Sequence, residues 1–168
     1  MTVVAVLVSV CALAVGGVAA ALFLLPRQDG GPRASAPPSS SAAGPGCRGA
    51  ACEGRSPMDM RCGADPATVA AHRTAGGAWM ELRHSEECGA SWARMWGTRI
   101  GDRIELTVSG GGRGDRGGGT RTAEVEDDID AESYVYTPMA ATGPGSVVRA
   151  CFRPAADGRR ECFDGRVD

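Results

Sequence analysis

The sequence predicts a small, mostly β, antiparallel domain of the sandwich or barrel type, crosslinked by disulfides and set behind one N-terminal transmembrane helix. Three observations carry this reading. Short segments of alternating apolar and polar residues, punctuated by glycine and proline, recur through the C-terminal two thirds. Six cysteines follow a charge-free apolar run, the usage of an oxidising compartment. Aromatic residues are scarce, at 3 Trp, 3 Phe and 2 Tyr in 168 residues, so crosslinks are expected to supplement a modest core.

Composition excludes some function classes at once. The 18 basic residues are all arginine, against 20 acids, for a net charge of -2. This lacks the basic footprint of nucleic-acid binding, and no nucleic-acid partner is expected on this chain. The arginine-only usage, with 25 glycines, reads as genomic bias and says little about partners.

Residues 1–26 form the anchor. Val3 to Leu25 contains no charged side chain, and as a helix it spans roughly 34 Å, against a bilayer core of about 30 Å. A cleaved signal peptide has a basic start and a shorter apolar stretch. Here only Met1 and Thr2 precede the run, and Leu22 to Leu25 continue it past the Ala19-Ala20-Ala21 triplet. An uncleaved anchor is expected. Ala12, Gly16 and Ala20 recur every four positions, the small-residue spacing that lets two such helices pair in a homodimer.

Orientation is contested by two signals. Arg27 and Arg33 flank the run on its C-terminal side only, which by the positive-inside rule places the cysteines in the cytoplasm. The six cysteines argue for the outside, and we give them precedence. A start upstream of Met1, with a cytoplasmic portion and its own basic stop, is one hypothesis that reconciles the two. Residues 27–46 then form a tether, 16 of 20 being Gly, Pro, Ser or Ala, too poor in apolar groups to pack.

Residues 47–168 are expected to be one extracytoplasmic domain. Cys47, Cys52, Cys62, Cys88, Cys151 and Cys162 allow 15 pairings. Their spacings lack the paired two-residue gaps of a zinc ribbon, so neither metal nor cofactor is expected. Alternation predicts strands around Met80–His84, Arg103–Val108 and Thr122–Glu126, with further candidates at Tyr134–Thr137, Val147–Phe152 and Glu161–Phe163. An Asp157-Gly158 hairpin turn would set Cys151 opposite Cys162. Asp65 followed by Pro66 and an alanine-rich run carries the local signals of a helix start.

Glu81-Leu82-Arg83-His84-Ser85, Cys88, Ser91-Trp92-Ala93-Arg94, Gly101-Asp102 and Tyr136-Thr137-Pro138-Met139 together resemble the YjfA-like family. This is a domain of unknown function of secreted and membrane-anchored proteins of Gram-positive bacteria, sometimes behind a cytoplasmic helix-turn-helix region. The resemblance covers most of residues 47–168. It implies that Cys62 pairs with Cys88, which leaves Cys47 for Cys52. It favours a strand over a helix for Thr68–Thr74, and it places a tyrosine where this chain has His84.

Chemistry-bearing residues are few. His72 and His84 are the only histidines, so any Ser-His or metal-water mechanism uses one of them. A small envelope hydrolase using His84 is therefore an alternative reading, and a structural envelope protein without a ligand is another. Asp128, Asp130 and Glu132 are spaced like a calcium loop, but Ser133 and Met139 stand where its glycine and glutamate belong. No catalytic set assembles from these residues. Arg83, Trp92, Arg94 and Tyr136 are the candidate binding surface, able to stack on and hydrogen-bond an anionic or carbohydrate polymer. The competing reading buries Trp92 and pairs both arginines with Glu81. The expected function is thus a membrane-anchored binding or sensory module, the outer part of a longer transcriptional regulator, with no enzyme activity.

Overall fold

Residues 44–110, 119–156 and 159–168 are described by the computed structural model. The apolar run 3–25, the tether up to residue 43 and the Asp157-Gly158 step lie outside them. Among the described residues no helix is long and apolar enough to cross a membrane.

Two antiparallel sheets form the domain. In the first, β1 (Ala67–Arg73), β2 (Trp79–Ser85), β3 (Ala90–Trp96) and β6 (Val135–Tyr136) run side by side, and β7 (Ala140–Ala141) also pairs with β3. In the second the order is β5 (Arg121–Glu124), β4 (Arg103–Ser109), β8 (Val147–Arg153) and β9 (Glu161–Arg166). β1 packs on β9, β2 on β8, β3 on β4 and β6 on β5, the layered arrangement of a sandwich.

The period of two decides what fills the space between the sheets. Met80 and Leu82 of β2, Ala93 and Met95 of β3, Ile104 and Leu106 of β4, and Val148, Ala150 and Phe152 of β8 form one buried cluster. A side chain at Gly165 on β9 would place its Cβ 2.7 Å from Val69 Cγ1 and 3.1 Å from Ala70 Cβ, so the two sheets approach there only because position 165 has none. Gly77, at φ 95°, closes the β1–β2 turn, donating to Thr74 O while Thr74 N donates to Ala78 O.

The helix signals at Asp65 and Pro66 do not prevail. Residues 67–73 are strand β1, as the family resemblance implies, paired with β2 from Ala67↔His84 to Arg73↔Trp79 around a bulge near Val69. Seven residues are too few for a helix to hold in isolation, whereas an edge strand bonds along β2. The only α-helix among the described residues is α1 (Asp128–Glu132). It absorbs the acidic run, because Asp127 accepts from Asp130 N and Asp130 accepts from Glu126 N, a reciprocal cap. Asp128, Asp130 and Glu132 are thus helical and do not form a cation loop.

A second cluster lies on the outer face of the first sheet. Cys47, Cys52, Cys62 and Cys88 pack with Ala90, Trp92 and Met139. Residues 44–63, including a 3-10 turn at Gly49–Cys52, lie over one end of β2 and β3. Gly49 N donates to Cys88 O, Gly54 N to Met139 O, and Met139 N to Arg55 O. Glu53 accepts from the buried Arg121 guanidinium and from Ala141 N, fastening the segment to β5 and β7.

Candidate binding surface

The disulfides are Cys47–Cys52, Cys62–Cys88 and Cys151–Cys162. Cys151 and Cys162 are direct partners in the β8–β9 register. The first two bridges lie against each other, with Cys47 Sγ 3.9 Å from Cys62 Sγ.

Arg83, Trp92, Arg94 and Tyr136 all belong to the outer face of the first sheet, since Arg83 pairs with Trp92 and Arg94 with Tyr136. Phase alone does not make them a surface. Trp92 is 1% exposed, because residues 44–63 cover that end of the sheet, and it is withdrawn from the candidate surface. Its indole Nε1 finds no acceptor among the described residues. Glu81, opposite Arg94, accepts from Arg94 Nε at 2.8 Å and from Arg83 Nη1 at 3.3 Å. Arg83 also donates to Thr68 Oγ1 and Pro66 O. Arg83 is therefore a structural clamp, whereas Arg94 serves both Glu81 and the aromatic rings beyond it.

The exposed chemistry lies at the other end of the same strands. Trp79 and Trp96 are direct partners in the β2–β3 register, their planes 6° apart and centroids 5.9 Å apart. At that separation the rings are offset and part of each face stays open. The Arg73 guanidinium lies 5.5 Å over Trp79. Tyr134 meets Trp96 edge to face at 5.3 Å and Tyr136 lies 6.1 Å beyond. The Arg94 guanidinium sits 4.5 Å from Tyr134 and 5.6 Å from Trp96. Trp79 and Tyr134 are 38% and 45% exposed. Arg73, Trp79, Trp96 and Tyr134 are absent from the residues the sequence singled out. The available signal was the spacing of Trp92, Arg94 and Trp96, two residues apart on one strand, which sets all three on one face.

His84 stands apart, on the inner phase of β2 at the far end of the sandwich from Trp79. Its Nδ1 is 3.0 Å from Ser91 Oγ and 3.2 Å from Thr142 Oγ1, and these hydroxyls are 2.7 Å apart. Burial lowers the imidazole pKa, against opposing effects of the Glu86 carboxylate and a backbone hydrogen bond at Ala90. A cavity of about 380 Å³ adjoins it, bordered by Asp65, Thr68, Glu86 and Arg166. Ser91, however, has no exposed surface, so its hydroxyl is not presented to a substrate. The trio packs the end of the sandwich. His72 faces Glu161 at 3.5 Å and stacks on Phe163 at 5.5 Å, remote in the sheet from Ser91.

No curated protein and no solved structure matches the chain. A sequence profile described as "Protein of unknown function (DUF2690)" matches residues 50–151, more than half of the chain and most of both sheets. The chain belongs to the DUF2690 family.

Proposed function

We propose that the chain is an extracytoplasmic binding or sensory module, held to a membrane by residues 3–25 and lifted from it by residues 27–46, whose ligand is a glycan. One observation carries the reading. Of eight aromatic residues in a chain with 3 Trp, 3 Phe and 2 Tyr, four gather in a single partly exposed row, Trp79, Trp96, Tyr134 and Tyr136, with the Arg73 guanidinium over its Trp79 end and the Arg94 guanidinium against its two middle rings. A small domain short of core gains more by burying such rings, and an exposed aromatic group of this size marks an interaction surface. Sugar C–H faces stack on open indole and phenol faces, and arginine forks hydrogen-bond hydroxyl or anionic substituents.

The YjfA-like resemblance, with its secreted and membrane-anchored Gram-positive members, supports the extracytoplasmic placement. It also supports a role as the outer part of a longer transcriptional regulator, with Ala12, Gly16 and Ala20 pairing two copies in the membrane. A small hydrolase rests on the 3.0 Å contact of His84 and Ser91, and the enclosure of Ser91 counts against it.

Titration of the protein with N-acetylglucosamine oligomers, followed by tryptophan fluorescence, tests the proposal. Saturable quenching is expected, weakened more than about tenfold in Trp79→Ala and Trp96→Ala, a loss of about 1.4 kcal/mol or more, and retained in Arg83→Ala. No response in the wild type, or an equal response in the tryptophan variants, overturns the glycan reading.

A further inference from the structure

The three cysteines of the covering segment and Cys88 of the β2–β3 turn form more than two adjacent bridges. The Sγ atoms of Cys47, Cys52, Cys62 and Cys88 all lie within 4.8 Å of one another and all four residues are buried. A tetrathiolate zinc centre with Zn–S bonds of about 2.3 Å has S···S edges of about 3.8 Å. The unbonded Cys47–Cys62 pair already stands at 3.9 Å. Opening the two bridges therefore requires only a modest spreading of sulfurs already gathered within that span. The backbone holding them does not depend on the bridges alone: it is fixed by the hydrogen bonds of Gly49, Gly54 and Met139 and by the Glu53–Arg121 contact. Acceptors for free thiols are in place, Cys88 O being 3.6 Å from Cys52 Sγ and Met60 O 3.7 Å from Cys62 Sγ.

We propose that Cys47, Cys52, Cys62 and Cys88 are a closed metal site in latent form, which holds one Zn2+ when both bridges are reduced. Each disulfide takes two electrons from a phosphine and two protons from the water whose oxygen leaves on the phosphine oxide, or two electrons and two protons from a protein dithiol, which becomes a disulfide. The four thiols then bind Zn2+ through sulfur and release their protons to solvent. All four positions are protein sulfur and the surroundings are Trp92, Ala90 and Met139, so the site is structural, with no open position for a substrate. The spacing of these cysteines matches no zinc ribbon because the ligands come from the covering segment and the β2–β3 turn, which meet only in the fold. Cys151 and Cys162, on the other sheet, take no part.

Co2+ titration of the full chain after phosphine reduction tests this. The expected result is one Co2+ per chain with the intense visible and near-ultraviolet absorption of tetrahedral thiolate coordination, discharged by Zn2+. The Cys151→Ser/Cys162→Ser double variant should keep it, and Cys62→Ser should lose it. Trp92 fluorescence, quenched by Co2+ in the same cluster, reports independently on whether the cage is folded. Absence of the thiolate bands in the reduced wild type at saturating Co2+ overturns the proposal. So does their persistence in Cys62→Ser or their loss in the double variant.

Discussion

Glu81 and Arg94 face each other across the β2–β3 register, closed by contacts of 2.6 and 2.8 Å to one carboxylate oxygen. Arg83 shares that oxygen at 3.3 Å. With the three side chains between 15% and 22% exposed, one carboxylate holds two half-buried guanidinium groups apart and in place. Glu81→Gln is expected to cost about 1–3 kcal/mol, because it leaves two charged donors short of their acceptor. Glu87→Gln, whose pairing with Arg48 is 67% and 62% exposed, should stay within about 0.5 kcal/mol of wild type. Urea midpoints of the two variants decide between them.

The Trp79–Trp96 contact should register as a coupling of about 0.5–1.5 kcal/mol in a double-mutant cycle to alanine. Each single variant should fold, since neither ring belongs to either buried cluster. A coupling near zero would mean that the rings stand side by side without stacking, and thermal unfolding of the four proteins measures it.

Removal of the bridges one at a time should rank by the chain each closes. In the chain-entropy account, separations of 26, 11 and 5 residues correspond to about 3.5, 2.8 and 2.1 kcal/mol for Cys62–Cys88, Cys151–Cys162 and Cys47–Cys52. Paired Cys→Ala variants in urea test the order, which inverts if the covering segment loses its seat on Trp92 when the shortest bridge is cut.

His84 confers a pH dependence of defined sign. Burial depresses its pKa in the folded chain, so as pH falls the unfolded chain takes up the proton first. The stability from the neutral imidazole is complete above the ordinary imidazole value near 6.5 and drains away as pH falls from there through the folded value. The difference between wild type and variant is the readout. His84→Gln should show a shallower loss of melting temperature between about pH 7.5 and 5 than wild type.

Much of the fold was legible because strands wet on one face announce themselves. Met80 and Leu82 alternate with Glu81 and Arg83, and Ile104 and Leu106 with Arg103 and Glu105, and both segments are strands with those phases inward. β3 was not legible in this way. Ala90–Trp96 is buried on both faces over most of its length, inward by the second sheet and outward by residues 44–63, so its alternation vanishes. The same cover explains why Trp92 reads as surface by phase and is core in fact. Trp79 and Trp96 were hidden for the opposite reason: they occupy strand ends, where a large aromatic ring reads locally as core, and only the β2–β3 register brings them together.

The Cys151–Cys162 bridge joins register partners on β8 and β9, and β9 is the edge of its sheet. An edge strand held by backbone hydrogen bonds alone can be peeled away and exchanged with its counterpart in a neighbouring copy. A covalent tie at Cys162 commits β9 to its own chain, so neighbouring copies can meet side by side without trading strands.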